Sequence, residues 1–90
     1  MHSKETYMSI KQKLIERLKA KPSDFTFDEL ESLLLSLNFT QFNKGKTSGS
    51  RVLFQLGDLS IDLHKPHKYK ELPKYQISRI LKVLQEEGLI

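Results

Sequence analysis

The sequence predicts an α+β fold, a three-stranded antiparallel sheet with helices on one face, in the order α-α-β-β-β-α. Three observations lead there. Apolar residues recur at helical spacing in three segments, 7–20, 27–37 and 74–87, as expected of helices with one buried stripe. Apolar and polar residues alternate through 50–56 and again through 59–64, which is the period of a half-buried strand. The apolar positions of those two runs share one parity, so one face of the sheet should lie under the helices and the other in water.

Met8, Ile10, Leu14, Ile15 and Leu18 form the stripe of the first helix, and Lys21-Pro22-Ser23 breaks it. Residues 1–22 are read as an amphipathic helix added to a core domain of residues 23–90. In the second helix, Thr26 and Glu29 have capping-box spacing ahead of Leu30, Leu33, Leu34 and Leu37. Asp28 and Glu29 occupy its first turn, where the helix dipole favours carboxylates. Asn38 suits its end. Phe39-Thr40-Gln41-Phe42 is a short β-type run, and the small and cationic residues 44–50 form an exposed loop. Gly57-Asp58 is a tight turn between two antiparallel strands. Pro66 has no ladder donor, so the third strand ends near His64. Pro73 suits the first turn of the last helix, with Ile77, Ile80, Leu81 and Leu84 as its stripe and Gly88 after its end. Leu30, Leu34, Phe39, Val52, Phe54, Ile61, Leu63, Ile80 and Leu84 are the expected core.

Ninety residues suit one small domain. The absence of Cys excludes disulfides, thiolate metal sites and a cysteine nucleophile. The first seven residues are polar, and no run approaches the roughly 18 apolar residues of a membrane span, so the expectation is a cytoplasmic protein without a membrane partner. Fifteen Lys and Arg against eleven Asp and Glu give +4. That charge is segmental. Residues 39–56 carry Lys44, Lys46 and Arg51 with no acid, and residues 64–75 carry Lys65, Lys68, Lys70 and Lys74 against Glu71 alone, together +6. Positive stretches of this kind favour phosphate partners.

Gly45-Lys46-Thr47-Ser48 has the tail of a phosphate-binding P-loop, but the glycine required five positions earlier is Thr40. His64 and His67 lack a third and fourth ligand, Asp62 being the one nearby carboxylate. No metal and no small-molecule cofactor is therefore expected. The loop holding Lys44, Lys46 and Ser50, followed by Arg51, has two readings: a solvated hairpin, or cations, hydroxyls and free backbone N–H groups that grip a phosphodiester. Tyr69 and Tyr75 beside Lys68, Lys70 and Lys74 suit either stacking on unpaired bases or lids on the core. His64 is the one strand residue that combines an imidazole with two basic neighbours, and histidine is the side chain whose ordinary pKa lies near neutrality.

Phe27 to Asn38, then Asn43-Lys44-Gly45 with Gly49-Ser50-Arg51-Val52-Leu53-Phe54, then Leu63-His64 and Glu71-Leu72-Pro73 through the final Glu-Glu-Gly-Leu-Ile resemble, in order and spacing, the HicA family. The resemblance covers about residues 26–90 and leaves the first helix outside. It implies a fold like the double-stranded RNA-binding domain, cleavage of messenger RNA by a toxin, and a HicB-like antitoxin that covers it. The family pattern has Gly-Ser-His in this hairpin, with the histidine catalytic, and here the matching residue is Arg51; Lys46-Thr47-Ser48 also lengthens the loop. A guanidinium stays charged and cannot serve as a general base, but it can steady a phosphorane. Metal-free cleavage needs a base for the 2′-hydroxyl and an acid for the 5′-oxygen, which leaves His64, and behind it His67. The expected site is thus His64 and Arg51 for chemistry, with Lys44, Lys46, Ser50, Arg51, Lys65, His67, Lys68 and Lys70 for RNA. A catalytically silent RNA-binding or protein-interaction module on the same fold is the alternative.

Overall fold

A computed structural model describes residues 9–43, 51–65 and 71–90. The elements run α1 (Ile10–Ala20), α2 (Phe27–Ser36), β1 (Thr40–Asn43), β2 (Arg51–Leu56), β3 (Leu59–His64) and α3 (Lys74–Glu86). The strands form one antiparallel sheet in the order β1-β2-β3. The α+β class and the α-α-β-β-β-α order expected from the sequence are therefore present.

Each boundary has a local cause. Ser9 accepts a hydrogen bond from the Gln12 N–H at 3.1 Å and caps α1 ahead of Ile10; Tyr7 and Met8, where the sequence periodicity begins, lie outside the described residues. At α2 the capping box is complete: Glu29 N–H donates to Thr26 Oγ1 at 3.1 Å, and Thr26 N–H donates back to Glu29 Oε1 at 3.0 Å. Asn38 ends α2 with φ 77°, and Phe39 N–H reaches back to the Leu34 carbonyl while Asn38 N–H takes that of Leu35. Gly88, φ 72°, ends α3 with the same pair of bonds, from Leu89 to Leu84 and from Gly88 to Gln85. These are Schellman closures, which need a residue tolerant of the left-handed region after the helix, and Asn and Gly are the residues that tolerate it best. Gly57, φ 59°, opens the two-residue turn between Leu56 and Leu59, a turn whose twist matches that of the strands it joins.

All nine expected core residues are buried. They share one cluster with Leu14, Ile15 and Leu18 of α1, so the first helix packs into the same core as the rest. Phe27 of α2 meets Phe54 of β2 with ring centroids 6.4 Å apart, which joins the helix layer to the middle strand. Ahead of α3, Leu72 N–H donates to the Phe25 carbonyl at 2.8 Å, and Thr26 and Glu71 form an isolated bridge. The segments leading into α2 and α3 are thereby fastened together, with Phe25 and Leu72 buried beneath. Among the described residues, one of the predicted stripe is not in the core. Ile10 is exposed in the first turn of α1, and the buried stripe begins at Leu14. Burial needs a neighbour as well as the right phase, and periodicity reports only the phase.

Candidate nucleic-acid interface

Strand alternation sends Val52, Phe54, Ile61 and Leu63 into the core and leaves the intervening residues on the face away from the helices. Register fixes that outer face as three cross-strand rows. Thr40, Gln55 and Ser60 form the first, Phe42, Leu53 and Asp62 the second, and Arg51 with His64 the third. Directly opposed residues in an antiparallel pair have Cβ atoms about 4.5–5.5 Å apart. Arg51 and His64 are thus neighbours on one side of the sheet, and both are exposed.

Lys65 follows His64 but reaches toward the other layer: its Nζ lies 5.7 Å from the centroid of the Phe27 ring. The ammonium sits over a helix residue, at the rim of the site and not beside the Arg51–His64 row. Lys44, Lys46 and Ser50, and likewise His67, Lys68 and Lys70, lie outside the described residues. β1 ends at Asn43, β2 begins at Arg51 and β3 ends at His64. Tyr75 is exposed at the start of α3 and is no lid on the core.

Two features were not anticipated from the sequence. Arg79 of α3 donates from Nη2 to the Asp62 carbonyl at 3.0 Å, holding the edge of β3 two residues before His64, while its Nε donates to Gln76 Oε1 at 2.9 Å. No sequence signal links positions 17 residues apart in this way. Phe42 lies on the outer face, almost half exposed. Period-two arithmetic on Phe39 and Phe42 had that signal, because residues three apart in a strand cannot share a face.

A network of ion pairs among the described residues lies elsewhere, between α1 and α2. Arg17 donates from Nη2 to Glu29 Oε1 at 3.1 Å and to Asp24 Oδ1 at 3.4 Å, with the Phe25 ring centroid 5.6 Å from its guanidinium carbon. Arg17 Nε is 2.9 Å from Glu29 Oε2 but lacks hydrogen-bond alignment, so that contact counts as ion pairing alone. Burial on its own would push the Glu29 carboxyl up; the Thr26 N–H and then Arg17 outweigh it and hold the pKa below the ordinary carboxylate value. The Glu29 hydrogen bond likewise raises Arg17 against the opposing effect of burial. This is the joint that seats α1, and it leaves the outer face of the sheet untouched.

Among the described residues no helix is long and apolar enough to cross a membrane. A family model described as the HicA toxin of bacterial toxin–antitoxin systems matches residues 27–85, which spans α2, the whole sheet and nearly all of α3 and leaves α1 outside. No curated protein and no solved structure matches the chain significantly.

Proposed function

The chain belongs to the HicA toxin family of bacterial toxin–antitoxin systems, and on that premise we propose that it binds messenger RNA across the sheet end bearing Arg51 and His64 and cleaves it without a metal ion. The observation that carries the reading is the direct cross-strand pairing of these two exposed residues. Arg51 supplies a fixed positive charge with forked donors for a phosphodiester. Lys44, Lys46, Ser50, Lys65, His67, Lys68 and Lys70 are the proposed groups that track the RNA backbone to either side, and contacts of that kind position a strand without reading its sequence.

In the proposed reaction, neutral His64 takes the proton of the 2′-hydroxyl. The 2′-oxygen bonds to phosphorus, the bond from phosphorus to the 5′-oxygen breaks, and that oxygen leaves with a proton from an imidazolium, that of His64 or His67. The products are a 2′,3′-cyclic phosphate and a 5′-hydroxyl end. Arg51 offsets the charge that builds on the phosphoryl oxygens. A toxin of this family has an antitoxin as its partner, and a HicB-like protein covering this face is the proposed means of silencing it.

The test is RNA cleavage by the purified protein in excess chelator. His64→Ala should lower the rate about 10²- to 10⁴-fold and leave RNA affinity nearly unchanged; undiminished cleavage removes His64 from the chemistry. Arg51→His should lower the rate as well, since a permanent cation is lost. A specific observation favours a second reading, a catalytically silent RNA-binding module: Arg51 stands where the family pattern has its histidine. A gain of cleavage in Arg51→His would establish that alternative.

A further inference from the structure

Phe25, Phe27, Phe39 and Phe54 are all at most 4% exposed, and Phe42 is 46% exposed. It is the one phenylalanine of five set on the outer face of the sheet. Its cross-strand partner Leu53 is half-buried, so the two make a small apolar patch in the middle row of an otherwise polar face. Along β2 the next residue on that face is Arg51, about 7 Å away at the ordinary rise of a strand. Asp62 closes the far end of the row.

We infer that Phe42, flanked by Leu53, is a stacking platform for one unpaired base of a single-stranded RNA whose phosphates run past Arg51 and His64. The inference rests on the RNA-binding reading above and specifies the form of RNA that the site takes. Charge complementarity selects the occupant: the patch adjoins a guanidinium and an imidazole on one side, which suits a ligand that is apolar on its faces and anionic along its backbone. The backbone should therefore follow the Arg51–His64 row while a base lies over the ring. A duplex fits poorly, because its bases are stacked on each other and offer no free face to a ring lying on a sheet. Stacking on an aromatic side chain is tolerant of base identity, so the platform should distinguish strandedness and not sequence.

The experiment is a fluorescence-anisotropy titration of the full chain with labelled 2′-O-methyl oligonucleotides, single-stranded and duplex, at one fixed low salt concentration. These probes cannot be cut by 2′-hydroxyl attack. Phe42→Ala should weaken single-strand binding about 5- to 150-fold, the range of one base-stacking contact, and leave duplex binding and the salt dependence unchanged. Phe42→Trp should bind the single strand at least as well as the parent chain, and it decides the matter if the alanine variant does not fold. Equal single-strand affinity in parent and Phe42→Ala, or a Trp variant weaker than the parent, overturns the platform and leaves RNA binding by the face intact. A parent chain that binds duplex in preference to single strand overturns it too. No binding of either probe by the parent removes the RNA reading itself and the platform with it. If Phe42 is instead reserved for a protein surface, Phe42→Ala will leave RNA affinity unchanged, and a parent dimer that becomes monomeric in sedimentation will identify the occupant as a second copy.

Discussion

Arg17, between α1 and α2, has the carboxylates of Glu29 and Asp24 within 3.4 Å and the Phe25 ring beneath its guanidinium. Arg51, at the end of β2, faces His64 across the sheet and among the described residues forms no ion pair. The two residues carry the same charge with opposite consequences. Where acids converge on the cation its donors are spent on joining one helix to the next, and that joint belongs to the stability of the fold. Where no described carboxylate pairs with the cation, its charge is the one proposed to meet an anion from outside. The lesson is that a basic sequence does not locate its own binding site; the acids do, by showing which cations are already engaged.

Substitutions on both sides test this contrast, and the largest effect belongs to neither arginine. Phe54, fully buried beneath the sheet and against Phe27, should cost about 3–5 kcal/mol when replaced by Ala, read as a lower urea midpoint. That is a large share of the few kcal/mol that keep a small domain folded. Next in size, Lys44→Glu with Lys46→Glu should weaken RNA binding and flatten its salt dependence, since each lost phosphate contact lowers the slope by roughly one. Binding that is flat with salt in the parent chain would contradict a phosphate-led interface. Thr26→Ala should cost about 1 kcal/mol through loss of the α2 cap, with RNA affinity unchanged.

The smallest effect is in pH. Because Glu29 has a lowered pKa in the folded chain, the unfolded chain takes up its proton first as pH falls. Its contribution is therefore in full force above the ordinary glutamate pKa of about 4.3 and is lost as pH drops through the folded value. Glu29→Gln should lower the melting temperature at neutral pH, and the gap to the parent chain should narrow in acid. A gap that stays constant through acid pH would mean that capping, not charge, supplies the effect.

Much of the fold was legible because local rules and burial agree. The capping box at Thr26 and Glu29, the left-handed Asn38 and Gly88, and the alternation of 50–56 and 59–64 each have a short-range cause. Even the Arg51–His64 pairing can be counted outward from the two-residue turn, since Leu56 opposite Leu59 places residue 51 opposite residue 64. The partner of β1 could not be counted, because the connection from residue 43 to 51 is too long to set a register. Arg17 with Glu29 and Arg79 with Asp62 were illegible for a different reason: each joins two separate elements, and no pattern in a single chain encodes how separate elements pack against each other. Ile10 marks the limit of periodicity, being in phase with the buried stripe and yet exposed.

On the proposed reading, RNA meets the outer face of the sheet at Arg51 and His64, away from the Arg17 joint. Amide chemical-shift mapping of the isotope-labelled chain, titrated with a non-cleavable single-stranded RNA, tests it most directly. The predicted result is a set of shifts concentrated on Phe42, Arg51, Leu53 and His64, with Leu18, Arg17 and Glu29 unmoved. Shifts centred on α1 and the start of α2, with the Arg51–His64 row silent, would contradict it.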